Sequence, residues 1–367
     1  MTAIDPLQQQ AQRKRAHLAL AEKFYRQHPQ GHPDFAQVRL LHPELPETDP
    51  TEIDLARSLF GKTVQAPIYI NAMTGGTNSA QTINGKLAHL AAHFQIPMAV
   101  GSMSILQRAP ELAPSFTIVR QENPQGVVFA NLGASHSVAM ATQMVTLLQA
   151  DALQIHLNAA QEFAMPEGDQ DFHWRHNFQK LQQALGSQVP LIAKEVGFGM
   201  APAALRDFAA WGIAGVDLSG ASSTDFIAIE NERRSQPLLS DLSDFGLSTV
   251  ESLLGRQQIW QTTGHFTPLT FASGGIRTPW EAIKAFALGA DFVGMSGYFL
   301  HLALHQDEAA MVTSFAAWLA EFRGLLNLLG CRRVHELRQV PLILSPDLAN
   351  FGQQIGLDPT ALTHRRG

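Results

Sequence analysis

The chain has 367 residues, 45% hydrophobic and 16% charged, with a formal net charge of −6 and a single cysteine, Cys331. These totals exclude an intrachain disulfide and a cysteine-rich metal cluster, and the acidic balance argues against nucleic-acid binding. No apolar run reaches the ~18–20 residues of a membrane span, and the first twenty residues lack the apolar core of a signal peptide, so a cytoplasmic protein with no membrane association is expected.

Residues 5–27 read as an amphipathic helix, and the polar, proline-rich stretch 28–64 is expected to hold little regular structure. Beyond it the chain becomes rhythmic. Short apolar runs occupy 66–73, 96–102, 126–134, 152–158, 189–197, 213–220, 267–275 and 290–297. Most of the gaps carry a helical pattern, as at 79–94, 172–186, 202–211 and 278–288. Strands alternating with helices imply βαβ units and a parallel sheet. Eight such units predict an α/β fold of the (β/α)8 TIM-barrel type, with its active site at the carboxyl ends of the strands. The expected organisation is an N-terminal helical arm over 1–64, a barrel over 65–340 and a C-terminal tail over 341–367. A doubly wound open sheet is the alternative, but no GxGxxG follows the first run.

The fourth run, "LQIHLN", and the residues after it pose a problem for a buried strand. Leu153, Ile155 and Leu157 alternate with Gln154, His156 and Asn158, and Gln161 and Glu162 follow. A barrel strand must turn its apolar face outward to meet the helices. The polar set therefore faces inward, where it needs partners, and a ligand at the barrel mouth would supply them. Glu162 at the end of such a strand could hold Mg²⁺ together with a diphosphate, since Mg²⁺ is commonly shared between a carboxylate and phosphate oxygens. An ordinary surface glutamate is the alternative.

"FASGGIRTPWEA" (271–282) has the form of a phosphate cradle. Run seven ends in two glycines, Thr278 with Glu281 makes a capping box, and Pro279 suits the first helical position. A helix N-terminus favours an anion, and "GMSG" (294–297) follows run eight, where barrels commonly place a phosphate. A tight βα turn with ordinary capping is the competing reading. Lys194 lies within a strand, where a lysine is costly unless it is paired with a negative group. The loop 219–234 is long for a βα connection and suits a lid or an insertion. Arg13 and His17 share one face of the arm helix.

Taken together, "RKRAH", "NAMTGGT", "VGSM", "LQIHLNAAQE", "KEVGFG", "DLSGASSTDFIAIENER", "DFGLST" and "ASGGIR" resemble the type 2 isopentenyl-diphosphate isomerases over about residues 12–340. The resemblance implies an FMN-binding (β/α)8 barrel that interconverts isopentenyl and dimethylallyl diphosphate. It also implies reduced FMN, Mg²⁺, NADPH as reductant, and a homo-oligomer, tetramer or octamer. By position it puts Arg13 and Lys14 on the substrate diphosphate, with Ser102, His156, Asn158 and Gln161 as further substrate contacts. It makes Gln161, Lys194 and His156 the catalytic set and gives Mg²⁺ to Glu162. FMN would be held by Ala72, Met73, Thr74, Ser102, Asn131, Lys194, Ser219 and Thr224, and its phosphate by Gly275, Ile276, Arg277, Ser296 and Gly297.

Two departures stand out. Ala159-Ala160 replaces the Pro-Leu that the family often has before Gln161, and Ser104-Ile105 replaces an arginine-like polar residue after "VGSM". The nearest rival is an FMN-dependent 2-hydroxy-acid oxidoreductase on a similar barrel, which would need a histidine base near run seven, where "LTFASGGIR" has none. A flavin-binding barrel without catalysis is a further alternative.

Overall fold

The computed structural model describes residues 6–27, 33–165, 168–221, 226–232, 236, 238–239, 242 and 245–365, with side chains in the first helix described from Ala16 onward. The expected arm helix spans Pro6–Gln27. The stretch after it is more ordered than its composition suggests. It holds β1 (Val38–Leu40) and a hairpin of β2 (Arg57–Leu59) and β3 (Lys62–Val64). The hairpin turns on Phe60 and Gly61, both at positive φ, as a two-residue turn of the primed kind requires. These strands have three residues each, too few for alternation to stand out against polar neighbours.

Eight parallel strands then close into a barrel: β4 (Ile68–Ile70), β5 (Met98–Ala99), β6 (Val128–Gly133), β7 (Ala152–Leu157), β8 (Leu191–Glu195), β9 (Gly215–Asp217), β10 (Leu269–Ala272) and β11 (Phe292–Met295). Each lies within one of the eight apolar runs, and β11 pairs with β4 to complete the ring. The chain then adds β12 (Leu342–Leu344), which pairs antiparallel with β1 in the register Val38↔Leu344, followed by a helix Pro346–Gln354. Residues near the two ends of the chain are thus joined in one small sheet. No helix among the described residues is long and apolar enough to cross a membrane.

The outer faces of the strands, such as Ile68, Ile70, Leu153, Ile155 and Leu191, join the surrounding helices in the main core. The inner faces make a second apolar cluster of Tyr69, Ala99, Phe129, Ala152, Ile192, Phe271 and Phe292. Phe271 stacks on Phe292 with centroids 5.2 Å apart, and Tyr69 meets Phe271 edge-on at 5.5 Å. Leu59 and Val64 of the hairpin complete this cluster from below, with Phe60 edge-on to Phe129. Burial of each such ring stabilises the fold by roughly 1.5–3 kcal/mol. Small residues make room for the rings: a Cβ on Gly215 would lie 2.7 Å from Phe271, and one on Gly294 would lie 2.5 Å from Tyr69. The aromatic floor closes one end of the barrel interior.

Candidate active site

One step of two residues past the floor, the inward side chains of six of the eight strands turn polar. Tyr69 gives way to Asn71, Phe129 to Asn131, Ala152 to Gln154, Ile192 to Lys194, Gly215 to Asp217 and Phe271 to Ser273. Period-two alternation places each of these beside the last on the same face. Asp217 is fully buried and gathers the donors. Its Oδ2 accepts from the Tyr69 hydroxyl at 2.6 Å and the Asn71 amide at 3.0 Å, and its Oδ1 accepts from the Ser273 hydroxyl at 2.6 Å. The Lys194 ammonium stands 3.5 Å from Oδ2 and donates to the Glu195 carbonyl at 2.9 Å. Lys194 is thus the paired buried cation that its mid-strand position calls for. Burial, and then the Asp217 charge, push the Tyr69 phenol well above its usual range, so it remains a donor.

From Asp217 a row of side-chain hydrogen bonds crosses the barrel. Asn71 donates to Asp217, Gln154 donates to Asn71 Oδ1 at 3.3 Å, and Asn131 donates to Gln154 Oε1 at 3.1 Å. His156 Nδ1 lies 2.9 Å from Asn131 Oδ1. A carboxylate only accepts, so Asn71 must present its NH₂, and the orientation propagates outward along the row. The Ala72 N–H reinforces it by donating to Asn71 Oδ1 at 2.7 Å. His156 therefore carries its proton on Nδ1 and leaves Nε2 as an acceptor. Burial, with lesser contributions from His136 and Lys194, lowers its pKa to about 3. The ring is neutral at ordinary pH.

Above this layer lies a cavity of about 280 Å³ at the carboxyl ends of the strands. Among the expected FMN residues it is lined by Ala72, Met73, Thr74, Ser102, Asn131, Lys194 and Ser219, and by Gly275, Ile276, Arg277, Ser296 and Gly297. It is also lined by His156, Asn158, Gln161 and Glu162. Asn158 lies just past the end of β7 and precedes a short helix, Ala159–Ala164, which carries Gln161 and Glu162. The Glu162 carboxylate accepts from the Asn158 amide at 2.8 Å and from the Asp169 N–H at 2.9 Å. Ala159-Ala160 form the first turn of that helix and leave both polar residues at the cavity. Thr224 lies outside the described residues. Arg13 and Lys14 fall in the arm helix at positions whose side chains are likewise outside them.

The glycine-rich loop after β10 is built for close approach. Gly274 and Gly275 both have positive φ, and a Cβ on Gly274 would come within 2.8 Å of the Gly220 backbone. The helix Pro279–Ala287 begins behind it, with Thr278 as its cap and Glu281 completing the capping box. Glu281 also accepts from the N–H of Arg277, so an anion here draws on the backbone before that residue. Arg277 rises over the Tyr25 ring at 4.3 Å and donates to the Tyr25 carbonyl at 2.8 Å.

Several lining or supporting residues escaped the sequence reading. Asn71, Asp217 and Ser273 carry a signal that could have found them, since each stands two places after an inward-facing apolar or glycine position near a strand end. Ser104 also lines the cavity and accepts from the Ser102 hydroxyl at 3.1 Å. His17, marked in the sequence only by sharing a helix face with Arg13, reaches the cavity and hydrogen-bonds the fully buried Glu230 at 2.8 Å. Tyr25 lines it from the same helix. An aromatic on an amphipathic helix reads as ordinary packing, so nothing in the sequence marks Tyr25.

Comparison with known proteins adds a lineage to this geometry. A family model described as FMN-dependent dehydrogenase matches residues 107–343. The chain is 40% identical over 342 residues to an isopentenyl-diphosphate delta-isomerase of Latilactobacillus sakei subsp. sakei (strain 23K), covering 93% of this chain and 95% of that protein. It is 42% identical over 345 residues to the protein of the same name from Limosilactobacillus reuteri subsp. reuteri (strain JCM 1112), covering 94% and 97%. With the Staphylococcus aureus (strain N315) protein of that name it shares 39% identity over 352 residues, covering 95% and 98%. Among solved structures it is similar in fold to the flavin-binding domain of baker's yeast flavocytochrome b2, with a TM-score of 0.63, 16% identity and coverage of 93% and 80%. A mandelate oxidase aligns with a TM-score of 0.59, 17% identity and coverage of 91% and 98%. At such identities these two structures speak for the barrel fold alone.

Proposed function

Because the chain belongs to the family of the isopentenyl-diphosphate delta-isomerases, we propose that it interconverts isopentenyl and dimethylallyl diphosphate by a 1,3-proton shift, using reduced FMN, Mg²⁺ and NADPH as reductant. What supports this most is one cavity that brings a glycine cradle, a buried Lys194–Asp217 pair and the Gln161–Glu162 pair together at the strand ends.

The residues present fit FMN. The positive-φ Gly274-Gly275 turn, with no room for a Cβ at Gly274, suits a phosphate approached by backbone, aided by Arg277, Ser296 and Gly297. Thr74, Asn131, Lys194 and Ser219 offer polar contacts to the flavin ring, with Ala72 and Met73 as the apolar wall. Reduced FMN would supply the acid–base chemistry of the proton shift, with NADPH keeping it reduced. The chain's own contribution is positioning and charge. Lys194 can favour negative charge near it by roughly 4 kcal/mol at about 4 Å and an effective dielectric of ~20. Neutral His156 presents Nε2 as an acceptor toward a substrate contact, and Gln161, which lines the same cavity, would stand beside the reacting carbons. Glu162, whose oxygens keep lone pairs beyond the two hydrogen bonds they accept, would take Mg²⁺ jointly with the diphosphate. Arg13 and Lys14 would grip that diphosphate from the arm. The hydroxy-acid oxidoreductase reading is not favoured, and β10 with its following loop carries no histidine.

This reading carries with it a cytoplasmic homo-oligomer, tetramer or octamer, and the division into arm, barrel and tail at 64 and 340. Its test is incubation with FMN, NADPH, Mg²⁺ and isopentenyl diphosphate. The dimethylallyl isomer should accumulate to equilibrium over many turnovers per NADPH oxidised. Stoichiometric NADPH consumption with product would overturn it, because an isomerisation consumes no electrons.

A further inference from the structure

The arm helix meets the helix Gly297–His305 through one carboxylate and two imidazoles. His301 Nδ1 and His305 Nε2 each lie 2.9 Å from the same oxygen, Oε1 of Glu22. The histidines are four residues apart on a helix and so share a face, with ring centroids 4.7 Å apart. Glu22 is nine-tenths buried. Its other oxygen, Oε2, is buried as well and has no hydrogen-bond partner among the described residues. A carboxylate with both donors crowded on one oxygen and the other desolvated and unmet is costly as it stands. A cation between the three groups would bind Oε1 and both ring nitrogens and offset the charge that the desolvated Oε2 carries.

We propose that Glu22, His301 and His305 form a binding site for a divalent transition metal of the Zn²⁺ class, clamping the arm to the barrel. One ligand atom from each residue lies within 4.8 Å of the others. Tetrahedral Zn²⁺ with bonds of about 2.0–2.2 Å needs ligand atoms about 3.3 Å apart. The observed 2.9 Å contacts therefore need to open by only a few tenths of an ångström. Two imidazoles and one carboxylate, with a solvent position, form a zinc donor set, and nitrogen ligands select against Mg²⁺. The half-exposed histidine side chains, 36% and 45% accessible, give the ion its entry path. The site is distinct from the carboxylate assigned to Mg²⁺ above, and its metal binding does not rest on the isomerase reading.

The clamp lies one turn from the cavity. Tyr25, three residues after Glu22 on the same helix, stacks on His301 with centroids 5.1 Å apart and lies beneath the Arg277 guanidinium at 4.3 Å. Gly297, which begins the histidine-bearing helix, has no room for a Cβ because the Tyr25 ring would stand 2.8 Å from it. A metal at Glu22 thus pins the segment of arm that walls the candidate active site.

The test uses the full-length protein stripped of metal by chelator and kept in excess Mg²⁺. Zn²⁺ is titrated against a fluorescent chelator, and Co²⁺ is followed by its visible d–d bands. One Zn²⁺ per chain should bind, with a raised Tm and slower proteolysis of the arm. His305→Ala, at a half-exposed ring, and Glu22→Gln should each weaken binding by at least about ten-fold and abolish the four-coordinate Co²⁺ spectrum. Circular dichroism establishes that both variants are folded. Absence of stoichiometric Zn²⁺ binding in the parent chain overturns the proposal. So does undiminished affinity in folded His305→Ala or Glu22→Gln, which would assign the ion to others of the 15 histidines.

Discussion

The two halves of the barrel interior are built from the same strands and differ in almost every chemical respect. The floor is a packed aromatic layer of Tyr69, Phe129, Phe271 and Phe292 sealed by a hairpin. The layer two residues further along is Asn71, Asn131, Gln154, Lys194, Asp217 and Ser273, tied into hydrogen bonds and open to the cavity on one side. Two residues of strand amount to about 6.6 Å, so the transition from dry core to candidate chemistry occurs within one side-chain layer. The floor carries stability and the polar layer carries orientation. A rigid apolar base is what allows so many buried polar groups to hold fixed directions, since a misplaced partner would leave an unmet charge.

Four substitutions test that division, from the largest effect to the smallest. Asp217→Ala strips Tyr69, Asn71 and Ser273 of their acceptor and leaves Lys194 without its buried counter-charge. It should cost about 3–5 kcal/mol of stability and abolish retention of FMN on gel filtration. An unfolding free energy from urea denaturation within about 1 kcal/mol of the parent would show that the polar layer is not organised by this carboxylate. Phe129→Leu acts on the floor. It should cost about 1–3 kcal/mol by urea denaturation while FMN affinity, measured by fluorescence quenching, stays within a factor of two or so of the parent. Weakened flavin binding there would mean that the two layers are not separable.

Glu162→Gln keeps the shape at the cavity rim and removes a charge. The Mg²⁺ concentration for half-maximal isomerisation should rise at least about ten-fold, with stability unchanged. An unaltered Mg²⁺ requirement would remove Glu162 from the metal. The last effect is the smallest near neutrality and develops only in acid. His156 is held neutral in the fold down to about 3, whereas the unfolded ring takes a proton near 6.5. The folded pKa is depressed, so this term favours folding above the unfolded pKa and is lost as pH falls toward the folded one. The stability advantage of the parent over His156→Gln should therefore shrink between pH 6.5 and about 3. A difference that stays flat across that window would place the proton elsewhere.

Much of this was legible in the sequence because barrel strands obey a period of two. The eight apolar runs, the inward placement of Gln154 and His156 and the glycine turn after run seven all follow from local pattern, and the barrel contains each of them. What stayed hidden depends on pairing across great separation. β1 meets β12 across some three hundred residues, and no alternation in three-residue strands reveals it. His17 finds Glu230, and Glu22 finds His301 and His305, only once the arm has docked. Asp217 was within reach of the same alternation, but a lone acidic residue in "GVDLSG" gives no sign that three donors and an ammonium converge on it.

The one-way order of the amide row has a consequence for what can rest against it. The Nδ1–H of His156 and the NH₂ groups of Asn131, Gln154 and Asn71 all point along the row toward Asp217. Reversing the face shown to the cavity would require the imidazole to change tautomer and three amides to turn over together, against a carboxylate that has no hydrogen to return. His156 Nε2 is thus a gate with fixed polarity. A group that binds against it must bring its own hydrogen, and a bare oxyanion or carbonyl placed there meets a lone pair. The oxygen-rich end of any ligand is steered instead toward the glycine turn and the arm, so the cavity has a head and a tail before anything enters it.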